Sequence, residues 1–184
     1  QKLDATVTDR DAILASNASS IPITRLASAT SRPDHVVGLH FFNPVPVMGL
    51  VELVTTPLSD ASVEQRAEDF ASNTLQKTVI RAKARGGFIL NLLLVPSLPG
   101  AIRMYEAGHP SAEDIDAGMK LGANHPMGPL ELCDFIGLDT MKLVADVLFE
   151  EYKEPLYASP PLLTRMVEAG MLGRKSDRGF YDYS

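Results

Sequence analysis

The sequence is poor in cysteine and tryptophan and has no long hydrophobic run. Cys133 is the only cysteine among the 184 residues, and tryptophan is absent. A single cysteine excludes an intramolecular disulfide and is typical of a protein from a reducing compartment. Apolar stretches such as residues 88–96 are far too short to span a bilayer. No basic segment followed by an apolar core opens the chain, so the sequence predicts neither a membrane partner nor a secretion signal.

Positive charge is also scarce, which narrows the classes of partner. The chain has 17 Lys and Arg against 23 Asp and Glu, a net charge of −6 with histidine neutral. This charge argues against a nucleic acid partner. The four histidines are scattered and do not lie at metal-ligand spacing, so we predict no metal site. With 45% hydrophobic and 22% charged residues, the composition is that of a folded globular protein.

The first 85 residues alternate predicted strands with predicted helices. The strands are predicted at residues 12–15, 36–41, 50–54 and 78–81, and the helices at residues 20–29 and 62–75. Ser20 with Pro22 after it indicates the N-cap and first turn of the earlier helix. This alternation is the rhythm of a layered α/β domain.

After Gly86 the predicted elements are helical. Helices are predicted at residues 88–107, 111–121, 129–136, 139–151 and 160–169, and only the tail at residues 180–183 has a strand pattern. The boundary near residues 83–87 gives one domain at 1–85 and an all-α domain at 86–184. The helix at 88–104 is apolar on nearly all sides and must be buried on several of them. We expect a homodimer through this domain; the alternative is that a missing half of the chain covers the helix.

His40 and Glu52 are candidates for a catalytic pair. Glu52 lies among aliphatic residues of a predicted strand, where an ionised carboxylate costs free energy unless it is paired. His40 ends an apolar strand twelve positions earlier, so two adjacent strands would bring the side chains together. A carboxylate beside an imidazole fixes which ring nitrogen carries the proton and leaves the other to act as a base. The alternative is a structural histidine in the core and a Glu52 that faces solvent on an edge strand.

Ser19, Asn43 and Asn91 are further polar candidates, and each also has a structural explanation. Ser19 fits a hydroxyl that caps a helix. Asn43 before a proline is an ordinary turn signal. Asn91 lies in an apolar helix, where a buried amide needs partners. None of the three indicates a function by itself.

A series of ordered motifs indicates a family. The motifs are Ser16-Asn17-Ala18-Ser19-Ser20, Gly38-Leu39-His40-Phe41-Phe42-Asn43-Pro44-Val45-Pro46-Val47-Met48, Gly87-Phe88-Ile89-Leu90-Asn91, His125-Pro126-Met127-Gly128-Pro129-Leu130-Glu131-Leu132, Gly137-Leu138-Asp139-Thr140, Gly173-Arg174-Lys175-Ser176 and Gly179-Phe180-Tyr181. In order and spacing, over essentially the whole chain, they resemble the L-3-hydroxyacyl-CoA dehydrogenase (3-hydroxybutyryl-CoA dehydrogenase) family. One such motif would only be suggestive, whereas the ordered series is specific.

The resemblance implies a fold and an activity. Residues 1–85 would be the C-terminal part of a Rossmann-like NAD-binding domain, and residues 86–184 a helical dimerisation domain. The implied reaction is the reversible oxidation of the L-3-hydroxy group of an acyl-CoA to a ketone, with NAD as cofactor, in fatty-acid β-oxidation or butanoate metabolism. The implied location is the cytoplasm of a bacterium or the mitochondrial matrix of a eukaryote.

The resemblance also implies roles for site residues at matching positions. His40 would be the general base, and Glu52 the acid that orients it. Ser19 and Asn91 would hydrogen-bond the reacting oxygen or the imidazole, which stabilises charge as the alcohol becomes a carbonyl. For the cofactor, Asn43 and Ser19 would lie near the nicotinamide. A second cofactor contact would come from Lys175.

The main departure from the family pattern is an absence. The printed residues contain no Gly-x-Gly-x-x-Gly turn, which in the family precedes the helix that holds the cofactor pyrophosphate. The chain also opens at Gln1 rather than at a methionine. We expect a fragment without its dinucleotide-binding half, inactive alone. Two other classes stay open: a non-catalytic helical dimerisation module, and a related hydroxy-acid dehydrogenase whose substrate lacks CoA.

Overall fold

The computed structural model of the chain describes residues 2–19 and 21–184. The helix N-cap predicted at Ser20 therefore lies outside the described residues. The described chain forms two compact units, one up to Leu90 and one from Asn91 onward. None of the described helices combines the length and the apolar character that a membrane span needs.

The first unit contains each predicted strand and helix within its described residues. The elements are α1 (Lys2–Thr6), β1 (Leu14–Ser16), α2 (Ile23–Ala27), β2 (Val36–Phe41), β3 (Leu50–Thr55), α3 (Ala61–Asp69) and β4 (Thr78–Lys83). A 3₁₀ turn (Pro33–His35) precedes β2, and a π-helical turn (Phe70–Thr74) continues α3. Asp60 begins α3 as its N-cap, because its carboxylate accepts a hydrogen bond from the Ser62 amide.

The four strands form one mixed sheet in the order β1-β2-β3-β4. β1 runs parallel to β2, β2 antiparallel to β3, and β3 parallel to β4. The carboxyl ends of β1 and β2 therefore lie at the same edge of the sheet as the starts of β3 and β4. We call this edge the site edge. β3 is an interior strand, so Glu52 is not the solvent-facing residue of an edge strand.

Alternation along the strands divides the apolar residues between two clusters. One cluster packs against α3 and contains Val37, Leu39, Val51, Leu53, Val63, Ala67 and Ala71. The other contains Leu14, Ile23, Ala27, Val36, Val54, Ala82 and Phe88. Successive side chains of a strand point to opposite faces. His40 and Glu52 therefore share the face of Val54 and Phe88 and point away from α3.

The second unit is helical, as predicted. Its elements are α4 (Leu90–Glu106), whose first residue belongs to the first unit, α5 (Ala112–Ala117), a π-helical turn (Gly118–Gly122), α6 (Pro129–Ile136), α7 (Leu138–Tyr152), a 3₁₀ turn (Pro155–Tyr157), α8 (Pro161–Glu168) and a 3₁₀ turn (Arg174–Ser176). Ser111 is the N-cap of α5, because its Oγ accepts a hydrogen bond from the Asp114 amide at 3.1 Å. Cys133 is fully buried in the apolar core of this unit.

The strand predicted at residues 180–183 is wrong. The tail forms only single backbone bridges of Arg178, with Gly173 and with Asp182. The physical reason is a competing acceptor: the amides of Phe180 and Tyr181 each donate to the buried carboxylate of Asp134, both at 3.0 Å. Backbone donors that a strand ladder would use are satisfied by a side chain instead.

Candidate functional site

His40 and Glu52 stand directly opposite each other on β2 and β3, in the register that pairs the two strands. His40 Nδ1 lies 2.7 Å from Glu52 Oε2. The histidine is 6% exposed and the glutamate is fully buried. The contact predicted from the sequence is therefore present, and the alternative in which Glu52 faces solvent is excluded.

The second oxygen of the Glu52 carboxylate is held by backbone amides. Glu52 Oε1 accepts hydrogen bonds from the amides of Ile89 and Leu90, at 3.0 and 2.9 Å. These amides reach the carboxylate because Gly87 and Phe88 turn the chain in left-handed conformations, with φ of +77° and +50°. Glycine adopts such a conformation without steric cost, which explains Gly87. Both carboxylate oxygens of Glu52 thus have donors.

The surroundings of Glu52 favour its charged form. Burial raises the pKa of this carboxyl, but hydrogen bonds from His40, Leu90 and Ile89 outweigh burial, so the pKa lies below its ordinary value. An ionised carboxylate can only accept hydrogen bonds. The proton in the His40–Glu52 contact therefore sits on Nδ1 of His40, so in the neutral imidazole Nε2 is the nitrogen with the lone pair. Nε2 makes no hydrogen bond to any other residue in the described part of the chain.

Two aromatic rings fix the plane of the His40 imidazole. Phe42 meets it edge-on with ring centroids 4.6 Å apart, and Phe88 does so at 5.4 Å. Such edge-to-face contacts are favourable and orientation-specific. Neither phenylalanine was among the predicted site residues. Both could have been found from the motifs, because Phe42 lies between His40 and Asn43 and Phe88 lies three residues before Asn91.

Ser19 and Asn43 follow the carboxyl ends of β1 and β2 and so belong to the segments that leave the site edge. The two segments are tied together, because Asn17 Oδ1 accepts a hydrogen bond from the Phe41 amide at 2.9 Å. Ser19 is half-buried, and Asn43 is exposed. The helix that follows, α2, has no side-chain cap, so Ser19 does not have the capping role that was its structural explanation.

The site edge suits the nicotinamide end of a dinucleotide. In open α/β sheets, ligands bind beyond the carboxyl ends of the strands. Here the segments after β1 and β2, residues 16–20 and 42–49, carry hydroxyl and amide groups and no acidic side chain. This donor set fits an uncharged carboxamide, and no carboxylate in these two segments would repel a nearby diphosphate.

Asn91 and Lys175 belong to the second unit. Asn91 lies half-buried in the first turn of α4, and its side chain makes no hydrogen bond to another described residue. Lys175 is partly exposed and forms an ion pair with Asp139. A hydrogen bond from Lys175 lowers the pKa of the Asp139 carboxyl. The substrate role of Asn91 and the cofactor role of Lys175 stay predictions.

Two buried carboxylates of the second unit were missed by the sequence analysis. Asp116 accepts hydrogen bonds from the Leu130 and Glu131 amides, at 2.8 and 2.9 Å, and from the Tyr181 hydroxyl at 2.7 Å. Asp134 accepts from the tail amides and from the Tyr183 hydroxyl, the latter at 3.1 Å. These contacts give the motifs around Gly128 and Gly179 a structural role.

Comparison with known proteins places the chain in a family. Residues 1–85 match the sequence model of the 3-hydroxyacyl-CoA dehydrogenase NAD binding domain, and residues 87–183 that of the 3-hydroxyacyl-CoA dehydrogenase C-terminal domain. A 3-hydroxybutyryl-CoA dehydrogenase of Mycobacterium tuberculosis is 60% identical over 99% of this chain and 64% of its own length. A human mitochondrial hydroxyacyl-coenzyme A dehydrogenase is 49% identical over 93% of this chain and 54% of its own length.

Solved structures show the same fold. The crystal structure of M. tuberculosis FadB2 has a TM-score of 0.97 and 60% identity, covering 100% of this chain and 64% of that one. The (S)-3-hydroxybutyryl-CoA dehydrogenase PaaH1 of Ralstonia eutropha has a TM-score of 0.94 and 47% identity, with the same coverage of 100% and 64%. This chain thus spans a little under two thirds of the length of these relatives. By sequence and by fold, the chain belongs to the 3-hydroxyacyl-CoA dehydrogenase family.

Proposed function

We propose that His40 is the general base of an NAD-dependent oxidation of 3-hydroxyacyl-CoA to 3-ketoacyl-CoA. The observation that carries the proposal is the 2.7 Å contact between His40 Nδ1 and a fully buried, ionised Glu52. This contact leaves Nε2 of His40 as a free base. The match of both family domains and the names of the relatives support the same reaction.

In the proposed reaction, His40 Nε2 takes the proton of the substrate hydroxyl. NAD, when bound, supplies the hydride acceptor for C3 of the substrate. As Nε2 gains the proton, the imidazole becomes positively charged, and the Glu52 carboxylate stabilises that charge at a contact already in place. Glu52 does not need to move, because the amides of Ile89 and Leu90 hold its other oxygen. In the reverse direction the imidazolium returns the proton to the ketone oxygen.

Three polar residues complete the proposed site. Ser19 and Asn91 stabilise the reacting oxygen or the imidazole, and Asn43 contacts the nicotinamide and the substrate. The proposal rests on their match to the family motifs. For Ser19 it gains support from a hydroxyl that has no partner among the described residues. Lys175 is the proposed second cofactor contact, although its ammonium is engaged by Asp139.

This proposal is tested with the full-length protein, acetoacetyl-CoA and NADH. The reaction rate is measured as the decrease in NADH absorbance. We expect turnover in the unmodified protein and a loss of about 10²- to 10⁴-fold in kcat for His40→Gln, the usual contribution of a general base. His109→Gln is the matched control, because His109 is exposed in a loop of the second unit. Equal activity of the two variants would contradict the assignment of His40.

The same assay separates the other classes considered. Turnover of a 3-hydroxy acid without CoA, and none of its CoA thioester, would support a dehydrogenase for a different substrate. No turnover of any hydroxy acid would support a non-catalytic helical module. The 184 residues alone, assayed beside the full-length protein, test the expectation that they are inactive.

We also propose a homodimer through the second unit. An apolar groove of about 510 Å³ lies between α4, α5 and the start of α6, and it is lined by side chains such as Leu94, Met104 and Met127. Met104 is 54% exposed there. Exposed apolar grooves are candidate surfaces for contact with another protein. A second copy of this chain supplies an identical apolar surface, which is what a two-fold interface needs.

The dimer is tested by the molar mass in solution. A charge at the groove, Met104→Glu, is expected to shift the full-length protein from dimer to monomer in sedimentation. Leu143→Glu is the control, because Leu143 is 63% exposed on α7 and does not line the groove. A monomeric unmodified protein, or equal dissociation of both variants, would refute this interface.

A further inference from the structure

A lysine at the start of β4 holds the loop that follows His40. The Lys77 ammonium donates hydrogen bonds to the backbone carbonyls of Val45 and Met48, at 2.8 and 2.7 Å. Both carbonyls belong to residues 42–49, the loop between β2 and β3. Asn43 lies in this loop, two residues after the end of β2. The Lys77 side chain thus connects the start of β4 with the loop that follows β2, the strand that carries His40.

The position of Lys77 is set by the end of the preceding helix. Two residues after the π-helical turn (Phe70–Thr74), Gln76 adopts a left-handed conformation, with φ of +55°. The Lys77 amide then donates back to the Ala71 carbonyl at 3.0 Å, which closes the helix end. One residue later, the Thr78 amide donates to the Gly49 carbonyl at 2.7 Å. Lys77 is therefore fixed on both sides, beside the loop it holds.

The loop has little apolar packing of its own to hold it. Val45, Val47 and Met48 are 38%, 76% and 42% exposed. Its internal hydrogen bonds are those of the Val47 and Met48 amides to the Pro44 carbonyl, at 2.9 and 3.0 Å. These bonds shape the turn but do not attach it to the sheet. The Thr78 amide attaches the last residue of the loop, Gly49, to β4. The Lys77 ammonium holds the middle of the loop, and hydrogen bonds to a charged group are stronger than neutral ones.

We propose that Lys77 is a positioning residue that holds the β2–β3 loop, and with it Asn43, in the arrangement that binds cofactor and substrate. The proposal rests on the proposed function of this site and on the proposed contact of Asn43. Lys77 acts through the loop and touches no reacting atom. Its effect is therefore distinct from that of Glu52, which holds the imidazole itself.

The kinetic signature follows from this difference. Lys77→Met keeps the length and the apolar stem of the side chain but removes its donors. We expect a loss of about tenfold in kcat/KM, mainly through a higher KM, because the loop loses both hydrogen bonds from the ammonium but keeps its other contacts. The pH profile of kcat is expected to stay unchanged, because Glu52 still orients His40. Lys77→Arg keeps charge and donors and is expected to restore most of the loss.

Lys83→Met is the matched control, because Lys83 ends β4 at the opposite edge of the sheet. Amide hydrogen exchange gives a second readout that needs no activity. The amides of Val45, Val47 and Met48 should exchange faster in Lys77→Met, and at the normal rate in Lys77→Arg and Lys83→Met. An unchanged KM, or unchanged exchange in this loop, would overturn the proposal. An inactive unmodified protein with the expected exchange pattern would instead overturn the proposed function and leave the loop anchor standing.

Discussion

Replacement of Glu52 by glutamine tests the site with the smallest change in shape. The buried carboxylate has three donors: Nδ1 of His40 at 2.7 Å and the amides of Ile89 and Leu90 at 3.0 and 2.9 Å. The glutamine carbonyl can serve the two amides, which leaves its NH₂ group facing Nδ1. Because that group only donates, His40 must move its proton to Nε2. The variant then has an imidazole of the wrong tautomer in an otherwise unchanged pocket.

The expected magnitudes follow from these contacts. Loss of a free base at Nε2 removes about 10²- to 10⁴-fold from kcat. Stability changes less, because two hydrogen bonds survive as neutral ones and the cost of burying a charge disappears. Hydrogen bonds to charged groups contribute about 1.5–3 kcal/mol each. We therefore expect the free energy of unfolding to fall by about 1–3 kcal/mol, with the fold retained.

Two measurements decide the outcome. ¹⁵N NMR of the histidine side chains reports which ring nitrogen is protonated, and kcat is measured on the same samples. Glu68→Gln is the control, since Glu68 forms a surface ion pair with Arg81 that should contribute little. If Nδ1 of His40 keeps its proton in Glu52→Gln, or if kcat falls no more than in the control, the orienting role of Glu52 is refuted.

Two further predictions concern stability. The lowered pKa of Glu52 means that its contribution to stability is fully present above the unfolded value of 4.5 and is lost as pH falls through the lower folded value. In urea denaturation below pH 4.5, the unmodified protein should therefore lose more stability with falling pH than Glu52→Gln, which keeps only the acid dependence of the other carboxyls. Gly179→Ala would place a methyl group 2.0 Å from Asp134 Oδ1 and should cost about 1–3 kcal/mol. Gly118→Ala, with nothing within 4 Å, should be neutral or slightly stabilising, and equal effects of the two would contradict the packing argument.

The His40–Glu52 contact could be predicted because strand geometry determines it. An acid among aliphatic residues and a histidine at the end of an apolar strand each need a partner once buried. The antiparallel register supplies it by placing the two residues directly opposite. Only the pairing of the two strands had to be assumed, and a short connection between consecutive strands makes that pairing the common outcome.

The rest of the site depends on contacts that no local pattern encodes. The amides that hold Glu52 come from residues 37 and 38 positions away and reach it through the left-handed turn at Gly87 and Phe88. From the sequence, that motif was notable only because it contains Asn91. Phe88 also has a positive φ of +50°, a conformation that a bulky residue rarely adopts and that its sequence propensity would not predict. Its burial against His40 offsets that cost, and this is a property of the folded unit.

In the C-terminal tail, a local sequence pattern predicted an element that the structure does not contain. Its aromatic alternation predicted a strand, and the structure has a segment that docks onto Asp134 instead. Gly173 and Gly179 both pack against that residue so closely that a methyl group at either position would overlap it. The tail motif, interpreted from the resemblance as a cofactor contact through Lys175, thus has a structural reason as well. Glycine spacing alone does not reveal that the contact is a buried carboxylate.

Glu52 and Asp134 are equally buried, and their partners give them opposite properties. Burial raises the pKa of the Asp134 carboxyl, hydrogen bonds from Phe180, Tyr181 and Tyr183 lower it in part, and the nearby charge of Asp116 raises it further, so the pKa lies above its ordinary value. Glu52 also receives two backbone amides, but its third donor is an imidazole that can become positive, and its pKa is lowered. Only an ionised carboxylate beside a titratable group, as Glu52 is beside His40, can stabilise the positive charge that forms when that group takes up a proton. Burial alone would have marked both acids as functional, whereas the titratable partner distinguishes Glu52, the proposed orienter of a base, from Asp134, which holds the tail.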